Sequence, residues 1–117
     1  MSATNMGTTS SGAAVRMMKS DVARLAASAG DAARMLKLLA NEKRLLILCV
    51  LAAKGEAGVS EIAAEVDLGM SALSQHLAKL REDGLVEARK ESQMVFYRIA
   101  DRNAARILKV LKDIYCP

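Results

Sequence analysis

The apolar residues of this chain change period once, at Gly84, and that change limits what it can fold into. Before it, Leu73, Leu77 and Leu80 share one face of a helix that advances about 100° per residue. After it, residues 85–89 and 95–99 are rich in β-branched and aromatic side chains with partial alternation, the pattern of strands. Lys90, Glu91, Ser92 and Gln93 join them, so a two-stranded hairpin follows the helix. Upstream, Asp67, Leu68 and Gly69 make a tight turn between that helix (residues 70–83) and a shorter one ending at Val66. Ser60 is its expected cap, with Ile62, Ala63 and Val66 facing inward.

Further helical stripes flank this core pattern. Leu25, Ala29, Ala32, Leu36 and Leu39 predict a first helix over residues 21–39. Asn41 caps the next, residues 42–53, whose run from Leu45 to Leu51 is apolar all round and predicts burial on most sides. Asp101 caps a last helix to Tyr115, with Ala104, Ile107, Leu108, Leu111, Ile114 and Tyr115 on its apolar stripe. The expected fold class is therefore mainly α with a β-hairpin wing, in the order α-α-α-α-β-β-α. Residues 1–20, rich in Ser, Thr, Gly and Ala, are read as a disordered tail. Residues 21–117 form one domain.

Composition agrees. The chain has 117 residues, enough for one compact domain. It is 52% hydrophobic but only 3% aromatic, so Leu, Ile, Val, Ala and Met must build the core. No apolar run approaches a membrane span, and the first 20 residues lack the apolar middle of a signal peptide. A cytoplasmic location is expected, where thiols stay reduced. Net charge is +4, of which Arg16 and Lys19 in the tail supply two. The body is thus weakly basic, and geometry rather than bulk charge must carry any nucleic-acid recognition.

Two short helices, a tight turn and a hairpin form the winged helix-turn-helix arrangement. Opposite the leucine face of the second helix lie Ser71, Gln75, Ala78 and Lys79, with Ser74 and Arg81 on one flank. Small and hydrogen-bonding side chains near a helix N-terminus suit a major groove, where Gln pairs with adenine and Ser reaches bases or phosphates. Lys79, Arg81, Arg89, Lys90 and Arg98 are the expected phosphate contacts; each alone is also an ordinary surface residue. His76 borders the packed face and is read as a structural hydrogen-bonding group. One recognition helix reads few bases, so a homodimer on two half-sites of operator DNA is expected, joined through the first and last helices. Those stripes could instead complete the monomer core.

Three stretches carry a resemblance. They are Leu38-Leu39-Ala40-Asn41-Glu42-Lys43-Arg44-Leu45-Leu46-Ile47-Leu48, the run from Ser74 to Val86, and Val95-Phe96-Tyr97-Arg98-Ile99. Together they span residues 30–117 and are similar to the ArsR family of winged helix-turn-helix repressors. The resemblance implies dimers that leave DNA when an inducer binds. The helix before the recognition helix lacks the cysteine cluster of arsenic sensors. The last helix lacks the His ligands of zinc sensors, and one His in the chain argues against a zinc site. No metal or cofactor is expected. Cys49 and Cys116, in these places, resemble the sulfide-responsive branch, the biofilm-growth-associated repressor type. That resemblance implies that reactive sulfur species (persulfides or polysulfides) join the two thiols through a disulfide or a longer sulfur chain, and that DNA is released.

Thiol chemistry is compatible with this. One thiolate attacks, and the second closes the bridge. A lone Cys49 in an apolar helix would ordinarily be a packing residue; Cys116, at the chain end, is a poor one. The same two thiols could hold a soft ion such as arsenite or copper(I), or haem could serve as the sensor. A dithiol redox enzyme is disfavoured, because the chain has no Cys-x-x-Cys pair and no nucleophile-base set.

Overall fold

The computed structural model describes residues 15–117, and residues 1–14 of the expected tail lie outside the described residues. The chain forms two compact units, one up to Ala33 and one from Arg34. In the first, α1 (Lys19–Ala27) begins inside the expected tail: Met18 donates its N–H to the Asp21 carboxylate at 3.1 Å, and Asp21 pairs with Arg24 at 2.9 Å. The single helix expected over residues 21–39 is broken at Ser28. There φ is −111°, and the N–H turns back to the Leu25 carbonyl. The stretch Ala26-Ala27-Ser28-Ala29-Gly30 explains the break: it has little to pack, and Ser and Gly hold a helix poorly. α1 has no buried residue, and Val22 and Leu25 are exposed.

α2 (Ala29–Leu39) runs into the second unit, where Leu38 and Leu39 are buried. Then come α3 (Glu42–Lys54), β1 (Ala57–Gly58), α4 (Val59–Val66), α5 (Met70–Glu82), β2 (Val86–Glu91), β3 (Met94–Ile99) and α6 (Arg102–Tyr115). Mainly helical with a β-hairpin wing, this is the expected winged helix-turn-helix, with six helices where five were expected. Asn41 caps α3 by accepting from the Arg44 N–H at 3.0 Å, and Asp101 caps α6 by accepting from the Ala104 N–H at 2.9 Å. α4 departs from expectation. Gly58, not Ser60, stands at its N-cap, and the Glu61 side chain accepts from the Gly58 N–H at 3.4 Å.

The sheet has one strand more than the hairpin. β1 pairs antiparallel with β3, Ala57 opposite Tyr97 and Gly58 opposite Phe96, giving the order β1-β3-β2. The hairpin turn is only Ser92-Gln93, with Ser92 at φ 57°, so Lys90 and Glu91 belong to β2 rather than to the loop.

The core gathers Ile47, Leu48 and Leu51 from α3, Ile62 and Val66 from α4, Leu73, Leu77 and Leu80 from α5, and Ala104 and Leu108 from α6. α3 is not buried all round: Leu46 and Cys49 are exposed on its other side. Lys43 donates to the Val66 carbonyl at 3.2 Å and Arg44 to the Leu38 carbonyl at 2.8 Å. Each cation thus meets the negative end of a neighbouring helix. Among the described residues no helix is long and apolar enough to cross a membrane.

Leu77 is 1% exposed, so Leu77→Ala leaves a cavity and should lower stability by about 2–5 kcal/mol. Met94→Ala, on the exposed wing, should change it by less than about 0.5 kcal/mol. Urea unfolding at fixed protein concentration measures both.

Candidate nucleic-acid interface and thiol pair

Three leucines set the orientation of α5. With Leu73, Leu77 and Leu80 buried, Ser71, Ser74, Gln75, Ala78, Lys79 and Arg81 are all exposed, as the helical period requires. Lys79 lies 3.5 Å from Asp83, one turn on. Ser74, Ala78 and Arg81 line a groove of about 430 Å³ with Val59, Leu77, Glu82 and Tyr97, between α5 and the sheet. Among the described residues, Arg81 and Lys90 have no carboxylate partner. His76 is half-buried and makes no side-chain hydrogen bond to a described residue, so the structural bond expected of it is absent.

The other wing cations are placed differently. Cross-strand register puts Glu87 opposite Arg98, Arg89 opposite Phe96 and Glu91 opposite Met94. These residues share the sheet face that points away from the buried Val86. Arg98 is paired with Glu87. Arg89 is held by Glu56 and Glu91 and lies over the Phe96 ring, its guanidinium carbon 4.8 Å from the ring centre. Hydrogen bonds from Arg89 hold the Glu56 carboxyl below the usual carboxylate range and raise the Arg89 guanidinium in turn. Lys90 lies on the opposite face, with Ala88 and Tyr97. The structure therefore groups Ser71, Ser74, Gln75, Lys79 and Arg81 on one helix and Lys90 on the inward-facing register, and it separates Arg89 and Arg98 from them. Glu56, Phe96 and Tyr97 were missed. The alternation Glu87-x-Arg89-x-Glu91 was the signal for the acid pairing; nothing local marked Glu56.

Cys49 and Cys116 are free and exposed, on α3 and at the C-cap of α6. The Cys116 N–H donates to the Lys112 carbonyl at 2.7 Å, which ties the chain end to its helix. Desolvation by its neighbours pushes the Cys49 thiol up, and the charge of Cys116 pushes it further. Beside Cys49 lies a shallow groove of about 240 Å³, lined by Leu46, Val50, Ala53, Lys54, Glu65 and Val66. Lys54 is held there by Glu61 at 3.0 Å and Glu65 at 3.8 Å. Among the described residues no group of three or more His, Cys, Asp or Glu side chains could hold a metal ion.

Residues 41–88 match the family model described as bacterial regulatory protein, arsR family. Among curated proteins, the chain is 48% identical over 82 residues to the transcriptional activator HlyU of Vibrio cholerae, covering 70% of this chain and 75% of that one. It is 43% identical over 88 residues to the biofilm growth-associated repressor of Agrobacterium fabrum, covering 75% and 74%. Among solved structures, the transcriptional repressor BigR of Xylella fastidiosa superposes with a TM-score of 0.76 at 35% identity, over 86% of this chain and 99% of that one. The homodimeric winged helix-turn-helix DNA-binding domain Mb0332 of Mycobacterium bovis superposes with a TM-score of 0.68 at 38% identity, over 83% and 89%. With this fold, this recognition helix and these relatives, the chain belongs to the arsR family of bacterial regulatory proteins: it is a DNA-binding transcriptional regulator, not an enzyme.

Proposed function

We propose that the chain is a homodimeric repressor that reads operator DNA with α5 and releases it when reactive sulfur species join Cys49 to Cys116. The observation that carries the sensing half is that both thiols are free and exposed, on two helices, α3 and α6, that share one core although they are distant in sequence. The raised Cys49 thiol is a slow first nucleophile, so the exposed Cys116 thiolate attacks first. It takes the outer sulfur of an organic persulfide and expels the organic thiolate. The Cys49 thiolate then attacks the Cys116 sulfur, closes a disulfide and expels hydrosulfide. A second sulfur transfer before closure gives a longer bridge. Either bridge ties α3, which packs on the body, to the end of α6.

In this reading Ser71 and Gln75 face base edges, while Ser74, Lys79, Arg81 and Lys90 meet phosphates. The dimer explains the apolar surface left open: Val110, Ile114 and Tyr115 on α6 are exposed, as are Leu36 on α2 and Val22 and Leu25 on α1. Each set is buried against a second copy. A relative with this fold is homodimeric.

Binding of the reduced protein to a duplex enriched from a random pool, before and after an organic persulfide, tests the mechanism when intact mass is read on the same samples. Cys49→Ser and Cys116→Ser should bind like the unaltered protein and keep the duplex under persulfide. Release by the Cys116→Ser protein would sink the mechanism. Cys116→Ser should also move the midpoint of Cys49 alkylation to lower pH, because the charge that raised the thiol is gone. An unchanged midpoint means the two thiols do not meet. Ile114→Glu should yield monomers in sedimentation at micromolar concentration and weaken binding at least about tenfold, since one half-site is lost.

A further inference from the structure

The outward face of the wing carries its own neutralisation. Three carboxylates (Glu56, Glu87 and Glu91) meet two guanidiniums (Arg89 and Arg98), so the face holds one net negative charge. Such a face does not attract a phosphate backbone. Within it Arg89 is fully engaged. Its Nε donates to Glu56 Oε2 at 2.9 Å and its Nη2 to Glu56 Oε1 at 2.8 Å, the two-pronged geometry that a guanidinium and a carboxylate form best. Its Nη1 donates to Glu91, and its plane covers Phe96, the residue directly across the ladder.

Glu56 occupies the short link between the end of α3 and β1. The pair therefore ties the hairpin to the body at a point 33 residues away in the chain. Among the described residues the base of the hairpin is also held by β1, whose two residues pair with Phe96 and Tyr97, and by Val86, Tyr97 and Ile99, which pack on the core. The tip of the hairpin, residues 90–94, is exposed and lies beyond that packing, so a side-chain tie further along the strands limits how far it swings. Exposed ion pairs contribute little singly, but this one is bidentate, shared with a second carboxylate and stacked on a ring.

Resting on the reading that this chain binds DNA through α5 and the wing, we propose that Glu56 is a positioning residue for DNA binding. Through Arg89 it fixes the wing against the end of α3, and Arg89 acts as a brace rather than a phosphate contact. Lys90, on the opposite register, is left as the wing cation that meets the backbone.

The test uses the full chain and a duplex enriched on the unaltered protein from a random pool. Glu56→Gln and Arg89→Gln should each weaken binding about three- to tenfold, and the double variant should be no worse than either. The slope of log affinity against log salt should stay unchanged in both. If Arg89 instead holds a phosphate, Arg89→Gln lowers the slope by about 0.9 and Glu56→Gln tightens binding by releasing the guanidinium; either result overturns the proposal. Amide hydrogen exchange on the free protein separates this from the DNA reading itself. Glu56→Gln should speed exchange across residues 90–95 several-fold, and unchanged exchange refutes the brace whether or not any duplex is bound.

Discussion

Burial of one face of α5 is the constraint from which the site follows. Leu73, Leu77 and Leu80 are at most 1% exposed and lie in one cluster with Ile47, Leu48 and Leu51 of α3 and Ile62 of α4. Each such side chain contributes about 1.5–3 kcal/mol by leaving water, so rotating the helix by even one residue forfeits several of these contributions together. The outward face is fixed by default. Ser71 and Gln75 are presented because nothing else can be. Asn41 and the first turn of α3 hold the frame in turn. Asn41 closes the start of α3, Lys43 closes the end of α4 and Arg44 the end of α2. The polar positions of that stretch, which served the sequence reading mainly as a family likeness, are thus the fasteners of the helical body.

What was legible in the sequence was local. The caps at Asn41 and Asp101, the leucine period of α5 and the change to strands after Gly84 each depend on residues within a turn or two. The failures are non-local or lack phase. β1 is two residues long and finds its partner nearly forty residues later, so no alternation could announce it. An all-apolar helix such as α3 has no phase to read, and only packing shows that Leu46 and Cys49 face outward while Ile47 and Leu48 do not. The break at Ser28 turns on weak helix formers with no core to hold them, which periodicity alone does not register. The wing is the instructive case. A spacing of two between Glu87, Arg89 and Glu91 put all three on one face, yet the arginines had been counted by charge rather than by register.

The thiols show the same division. Their spacing in sequence carried no distance; the resemblance supplied the pairing, and the fold leaves both thiols exposed on helices that share one core. In the proposed mechanism the environment of Cys49 limits indiscriminate oxidation. A thiol that desolvation pushes up is a poorer first nucleophile but a competent second one once a sulfur is delivered next to it. Selectivity then comes from the order of the two steps rather than from a shaped pocket.

Charge placement bears on whether the proposed switch would suffice. Of the four net positive charges two lie in the first twenty residues, and the outward face of the wing cancels its own cations. A regulator that gripped DNA by bulk charge would be indifferent to a bridge of a few sulfur atoms, because the bridge alters neither the number nor the sign of its basic groups. A regulator whose cations are few depends on where two recognition helices and two wings stand relative to the groove. Small rigid displacements then cost it several contacts at once. In the proposed mechanism the weak net charge of the body and the neutralised wing are therefore part of the sensing device: they leave geometry as the quantity that holds DNA, and geometry is what a covalent tie between α3 and α6 would change.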